Sequence, residues 1–361
     1  MKNAVSAQHL FGAAIRLGKR VGKATVCLIP LGAWVTVIMI RILVEGPIEN
    51  ALASSKVIGG YDLIRSLGGD SQNRFDPTSA VQIAKRGSSF AVYGTLAFLY
   101  IGFAVAVAAS GSLVVGRTLV KCKCWRWQKA LPLLGCGLAL CGFVFASRSH
   151  STDFVLTWKG FGDFLRSFDP TGWLRFWVSL TKIATSFGFI ASFVLLALSC
   201  VILLPEQKDS ALRLELHRQR IEILDLVLVL GTALFVFALI RDRAFFIFAD
   251  SLISKDGGGL PSATNKSAVM YLADGIITVN GIYFSILTAA IYLPCAFILN
   301  SRTYILVPAR VRGLRFKERE EWLGKHGLDR SLKDHCLRAA TVLVPAVTGG
   351  ATGLIQAFGG K

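Results

Sequence analysis

Charged residues are scarce in this 361-residue chain: Asp, Glu, Lys and Arg make up 17% of it, against 53% hydrophobic residues. Soluble globular domains carry about 25% charged residues. The sequence also has no His-Glu-x-x-His motif and no phosphate-binding loop motif. All five histidines lie outside the long apolar runs. These absences argue against a soluble domain, a zinc-dependent protease and a P-loop nucleotidase.

What the chain has instead is long apolar runs. Six of them approach the ~20 residues that an α-helix needs to cross a bilayer. They cover 24–44, 90–116, 130–147, 176–204, 223–240 and 280–299. They are too long for buried strands and too uniformly apolar for ordinary amphipathic helices. The sequence therefore predicts an all-α polytopic membrane helix bundle, with six transmembrane helices arranged as three hairpins and the first run retained as a span.

The charges between the runs predict the orientation. The segments on the predicted inner side are 1–23, 117–129, 205–222 and 300–361, and those on the outer side are 45–89, 148–175 and 241–279. The inner segments hold 25 Lys and Arg against 9 Asp and Glu, whereas the outer segments hold 13 against 12. This is the positive-inside asymmetry of membrane proteins. We therefore predict cytoplasmic N- and C-termini, in a bacterial cytoplasmic membrane.

Cysteine and histidine placement gives no support to a metal site. All eight cysteines lie in predicted spans or inner segments, which argues against an extracytoplasmic disulfide framework. Cys122 and Cys124 lie close together, but no second Cys or His pair follows at the spacing of a four-ligand zinc site. We expect no metal and no cofactor.

The tetrapeptide Phe-Asp-Pro-Thr occurs at 75–78 and again at 168–171, in two predicted outer loops. An Asp side chain accepts hydrogen bonds from the free N–H groups of a helix start, and Pro suits the first helical position. We therefore interpret Asp76 and Asp169 as helix caps, whether the match is a duplication or chance. Aromatic residues at helical spacing before the second copy predict a short interfacial helix in the outer loop; their packing on the membrane domain is the alternative.

Three regions follow from this organisation. Residues 1–23 form a basic amphipathic segment on the inner leaflet, residues 24–299 form the six-helix transmembrane domain, and residues 300–361 form a basic helical tail. The tail ends in a soft apolar helix over 339–358. Its polar stripe predicts a helix on the surface or packed against the bundle, with a seventh span as the alternative.

Small residues at intervals of four let helices approach closely. The sequence has such residues at Gly102 and Ala106 in the second run, and at Ala184, Gly188 and Ser192 in the fourth. We interpret both sets as helix-packing residues within one chain. Pro30 and Pro294 lie inside the first and sixth runs and are candidate kinks.

Ionisable residues inside a membrane are functional hypotheses by default. The runs contain three, Arg41, Lys182 and Asp225, each close enough to a run end for its side chain to reach the interface. We therefore predict no charged group near the middle of the membrane, and neither a proton relay nor an ion-coupled carrier.

The sequence thus predicts a non-enzymatic membrane component that acts through lipid contact or partner assembly. Its partners would be anionic lipid on the cytoplasmic face and a protein bound by the basic tail, and not nucleic acid, since topology and lipid already account for the basic inner surface. The alternative is a facilitator or pore for a small, largely uncharged solute. A membrane-embedded enzyme using the outer carboxylates Asp76 and Asp169 is the third possibility.

Overall fold

The structure, a computed structural model, describes residues 25–40, 80–121, 126–149, 173–204, 210–252, 268–306 and 316–325, together with 328, 337–338 and 340–350. Every regular element in these residues is helical. The elements are α1 (Val26–Ile40, whose first turn is the 3-10 helix Thr25–Leu28), α2 (Ala80–Lys121), α3 (Arg126–Ser149), α4 (Trp173–Val201), α5 (Ser210–Leu252), α6 (Ala268–Leu306), α7 (Phe316–Lys325) and α8 (Ala340–Gly350).

Four helices contain apolar stretches long enough to cross a membrane. The stretches are Gly87–Lys121 in α2, Ser179–Val201 in α4, Arg213–Phe248 in α5 and Ala273–Thr303 in α6. They coincide with four of the six predicted runs. In the described part of α1 and α3, the apolar stretches are shorter, Val26–Ile40 and Lys129–Gly142. In the part of the chain that the structure describes, the protein is therefore all-helical, with four helices of membrane-spanning length and composition.

Helix α4 lies at the centre of the bundle. Its second half is apolar on every face, and Leu195, Leu196, Leu198 and Val201 are all at most 2% exposed. Helices α2 and α5 pack against α4, and α6 packs against α5. A helix that is hydrophobic all round has to be buried on all sides, which explains why this one becomes the core.

Aromatic side chains join α2 to α5 at one end of the bundle, which we call the aromatic end. Tyr93 stacks on Phe248 with ring centroids 6.0 Å apart, and it meets Phe245 edge-on at 5.3 Å. Phe90 packs edge-on against the same Phe248 ring. The Tyr93 and Thr181 hydroxyls share a hydrogen bond that adds α4 to the contact. Three helices are therefore held in register at this level.

Two arginines bind the backbone carbonyls that follow the last turn of α4. They lie at the opposite end of the bundle, which we call the basic end. Carbonyl groups at a helix C-terminus lack partners within the helix. Arg302 of α6 donates to the Leu203 carbonyl at 2.8 Å, and Arg220 of α5 donates to the Leu204 carbonyl at 2.9 Å. Cations at this position also oppose the negative end of the helix dipole. These bonds fix α4 against α5 and α6.

Helix α8 packs against α6 and α5, and it runs antiparallel to α6. Ala346 N–H donates to Ser285 Oγ at 2.9 Å, and Thr278 Oγ1 donates to the Gly349 carbonyl at 3.2 Å. A Cβ on Gly281 would lie 3.1 Å from the Gly349 Cα, so the two backbones meet where both side chains are absent. The apolar end of the tail was predicted to lie on the surface, to pack against the bundle or to form a seventh span, and its described part packs against α5 and α6.

Candidate functional site

Helix α5 extends well past the apolar run predicted within it. It has 43 residues, Ser210–Leu252, and is about 65 Å long at the usual helical rise. The sequence assigned 241–279 to an outer loop because the run stops at Arg241 and Asp242. The structure continues the helix through both, since the apolar stretch resumes at Ala244–Phe248. The start of α6 at Ala268 similarly makes Asp274 a buried helical residue.

Arg241 and Asp242 form an ion pair inside the bundle. Arg241 Nε and Nη2 donate to Asp242 Oδ1 at 3.0 and 2.5 Å, and the two side chains are 4% and 9% exposed. The guanidinium carbon lies 4.5 Å from the Tyr100 ring centroid, a cation–π contact. Arg241 Nη1 is buried and has no hydrogen-bond partner among the described residues. The sequence predicted no charged group near the middle of the membrane and did not anticipate this buried pair.

The depth of the Arg241–Asp242 pair within the bundle can be measured along α4. Tyr100 meets Gly188, which lies seven residues from Thr181 at the aromatic end, about 10 Å by helical rise. Leu204 at the basic end is sixteen residues away in the other direction, about 24 Å. The pair therefore lies well inside the apolar layer. Because Asp242 neutralises Arg241 locally, the helix can carry both without reaching an interface.

The small residues predicted to support packing lie in two environments. The buried set is in α4 and comprises Ala184, Gly188 and Ser192. A Cβ on Gly188 would overlap the Tyr100 hydroxyl. In α2, Gly102 and Ala106 are exposed, and a Cβ on Gly102 would meet nothing within 4 Å. The α4 stripe therefore lies at a helix contact, and the α2 pair lies on the outside of the bundle.

We expect Gly188→Leu to lower the free energy of unfolding by about 1–3 kcal/mol, the usual effect of overpacking a tight contact. The larger side chain would displace Tyr100 and with it the contact to Arg241. Gly102→Leu is the matched control, because it gains the same helix propensity on an open surface. Equilibrium unfolding in mixed micelles gives both values. Equal stabilities of the two variants would contradict the Gly188–Tyr100 contact.

Four cysteines from four helices are buried near one another: Cys27, Cys136, Cys200 and Cys295. The Cys200 and Cys136 thiols share a hydrogen bond, and the Cys295 thiol donates to the Ser199 carbonyl at 3.4 Å. Among the described residues, no group of three or more His, Cys, Asp or Glu side chains is placed to hold a metal ion. These thiols therefore pack as small apolar groups.

A cavity of about 340 Å³ opens at the basic end, between α5, α6 and the segment that leads into α8. We call it the basic-end cavity. Most of its wall is apolar, and the polar side chains on it are Tyr292, Asn300, Thr303 and Arg338. Small-molecule sites typically measure about 300–1,000 Å³ and combine apolar walls with a few polar groups. This cavity is the candidate functional site.

A buried histidine fixes one polar side chain of the cavity. The Thr303 hydroxyl donates to the Leu299 carbonyl at 3.1 Å and lies 2.8 Å from His217 Nε2. The donor in the second bond depends on the tautomer of His217. Two hydrogen bonds thus hold Thr303 in place on the cavity wall. The sequence placed His217 outside the apolar runs, whereas α5 extends far enough to bury it completely.

The charged side chain of the cavity belongs to the tail. Arg338 Nη2 donates to Asp225 Oδ2 at 2.8 Å, and the side chains are 18% and 34% exposed. Among the described residues, Arg338 Nη1 has no hydrogen-bond acceptor. Arg220 and Arg302 lie at the same end of the bundle, bonded to the Leu204 and Leu203 carbonyls.

The remaining predicted residues are placed as follows. Asp76 and Asp169, the predicted caps, lie outside the described residues. Pro30 lies in the first α-helical turn of α1, where proline is tolerated without a kink. Pro294 lies inside α6, which continues through it. Lys182 is exposed on α4 near the aromatic end.

Comparison of the chain with protein-family models, curated proteins and solved structures gives no match. Function is therefore inferred from the basic-end cavity and the charges around it.

Proposed function

We propose that the protein is a non-enzymatic, multi-pass membrane component that acts through contact with anionic lipid at its basic end. The observation that carries this proposal is Arg338 on the wall of a largely apolar cavity, at the end of the bundle where Arg220 and Arg302 bind the last carbonyls of the α4 segment. Arginine forms strong, charge-assisted hydrogen bonds with phosphate groups, and apolar walls suit acyl chains. Lipid offers both in one molecule.

In this proposal six helices cross a bacterial cytoplasmic membrane as three hairpins, and the basic end faces the cytoplasm with the N-terminus. The charge asymmetry between the predicted loops supports that orientation. Arg117 and Lys121, exposed at the end of α2, add to the basic end. Helix α3 has 24 residues, about 36 Å by helical rise, which is enough to complete a hairpin with α2.

A facilitator for a small uncharged solute needs a path between the helices. The void among α4, α5 and α6, lined by Ser192, Val227 and Tyr292, measures about 10 Å³. Such a space accommodates about one water molecule. This void does not favour a solute path between these three helices. Uptake of neutral solutes into proteoliposomes above the level of empty vesicles would revive the alternative.

We expect the thermal unfolding midpoint of the protein in nanodiscs to rise as anionic lipid replaces zwitterionic lipid. High salt should reduce the rise, because it screens charge interactions at exposed sites. Basic residues near an anionic surface contribute about 1 kcal/mol each. Replacing Arg117 and Lys121 together with Gln should therefore reduce the rise measurably.

Lys182→Gln is the control for that pair, because it removes an exposed, isolated charge near the aromatic end. It should leave most of the lipid-dependent rise in place. An unfolding midpoint that does not change with lipid charge would contradict the proposal. So would an equal loss in Lys182→Gln and in the double variant, because the basic end would then have no special role.

A further inference from the structure

We infer that the basic-end cavity is a specific site for one anionic membrane lipid, with an acyl chain between α5 and α6 and the acidic headgroup beside Arg338. The inference rests on the proposed function and adds the location of the site and the class of its ligand.

The distribution of polar atoms along the cavity matches an amphiphile. The cavity follows α6 from Thr303 to Tyr292, eleven residues, or about 16 Å by helical rise. Asn300 and Thr303 lie toward the basic end. Leu293 lies seven residues deeper than Asn300, about 10 Å further into the bundle. A headgroup would therefore meet Asn300 and Thr303, and its acyl chain would continue along the apolar stretch that ends at the Tyr292 ring.

The cavity opens sideways from the bundle. Leu293 and Phe297 line it, yet they are 54% and 42% exposed on α6. In a membrane-spanning helix, exposed apolar side chains face acyl chains. A ligand can therefore enter from the membrane through this opening without leaving the apolar phase. This access favours a membrane lipid over a water-soluble anion.

The hydrogen-bonding groups define the headgroup. Arg338 Nη2 donates to Asp225 Oδ2, and the Arg338 side chain lines the cavity and is 18% exposed. Because a guanidinium offers five N–H donors, a lipid phosphate oxygen can bind the exposed edge of Arg338 while the Asp225 pair stays intact. Asn300, at the same end of the cavity, has an amide that can donate and accept. A headgroup with a phosphate and a free hydroxyl, such as phosphatidylglycerol, offers an acceptor to Arg338 and a hydroxyl to Asn300.

The test uses the full chain in detergent and native mass spectrometry. The probes are phosphatidylglycerol, phosphatidylcholine and a free fatty acid, all with the same acyl length. We expect one phosphatidylglycerol per chain to be retained preferentially over phosphatidylcholine. The fatty acid, which has an acidic group but no phosphate or hydroxyl, should bind more weakly than phosphatidylglycerol. Fatty acid binding equal to that of phosphatidylglycerol would contradict the headgroup assignment.

Ala296→Trp fills the apolar part of the cavity and should weaken phosphatidylglycerol binding at least tenfold. Leu293→Trp narrows the opening from its exposed rim and gives the same test with less strain on the fold. Ile286→Trp is the control, because it adds the same side chain to an exposed α6 position outside the cavity. It should bind lipid as the wild type does.

The double variant Arg338→Gln with Asp225→Asn removes both charges together, so neither is left alone. We expect it to keep acyl binding and lose the preference for phosphatidylglycerol over phosphatidylcholine. Wild-type retention of phosphatidylglycerol in both tryptophan variants would overturn the cavity site. The proposed function would still stand if the thermal unfolding midpoint rises with anionic lipid. A wild-type protein with neither selective phosphatidylglycerol retention nor a lipid-dependent unfolding midpoint would overturn both the cavity site and the proposed function.

Discussion

We expect Asp242→Asn to lower the free energy of unfolding by about 3–5 kcal/mol, the usual effect of removing one partner from a buried ion pair. The remaining guanidinium of Arg241 would be a buried charge without a counter-ion, about 10 Å inside the bundle by helical rise. The Tyr100 ring would still lie beside it, but a cation–π contact is worth only about 0.5–2 kcal/mol. Equilibrium unfolding in mixed detergent micelles measures the loss.

Two variants control this measurement. Glu222→Gln breaks an Arg–Glu pair on the same helix whose side chains are 52% and 61% exposed, and exposed pairs of this kind contribute about 0.3–0.5 kcal/mol. Replacing both members of the buried pair, Arg241→Met with Asp242→Leu, should recover most of the stability, because no charge is left uncompensated. If Asp242→Asn is as mild as Glu222→Gln, the pair is not buried as the structure places it.

Gly281→Leu should separate α8 from α6. A Cβ at this position would lie 2.5 Å from the Pro345 carbonyl oxygen and 3.1 Å from the Gly349 Cα. Both are backbone atoms, so no side-chain rotation relieves the clash, and the loss should reach the upper end of the 1–3 kcal/mol that overpacking typically costs, about 3 kcal/mol. Hydrogen exchange of residues 340–350 should become much faster as α8 leaves the bundle.

Gly275→Leu is the matched control for this variant. It lies on the same helix, and a Cβ there would meet nothing within 4 Å, so stability and exchange should stay close to those of the wild type. Unchanged exchange over 340–350 in Gly281→Leu would show that α8 does not depend on this contact. Because Arg338 and Val342 also line the basic-end cavity, release of α8 should weaken lipid retention as well.

Apolar runs were enough to predict the four long spans, because the need for about 20 apolar residues is a property of each helix alone. The same rule ended the predicted span in α5 at residue 240, although the helix continues to Leu252. Arg241, Asp242 and Arg243 ended the run as three charges, although the first two neutralise each other. The signal that could have found the pair is the apolar stretch Ala244–Phe248, which begins after Arg243.

The spacing of small residues within one helix does not predict which of them contacts another helix. Gly102 and Gly188 belong to the same small-residue pattern, yet one faces outward and the other meets Tyr100. A pattern within one helix cannot say which face a neighbouring helix will cover. The candidate site was hidden for a related reason: Arg338 and Asp225 are separated by 113 positions, and their pairing depends on where the tail folds.

The position of α8 has a consequence for the order in which the protein is assembled. Helix α8 follows α5 and α6 in the chain, so the groove that it occupies must exist before it arrives. Until then the Asp225 carboxylate lacks Arg338, and the basic-end cavity lacks one of its walls. A lipid molecule can therefore occupy this space during synthesis, before α8 docks, and exchange afterwards with the membrane through the opening beside Leu293 and Phe297.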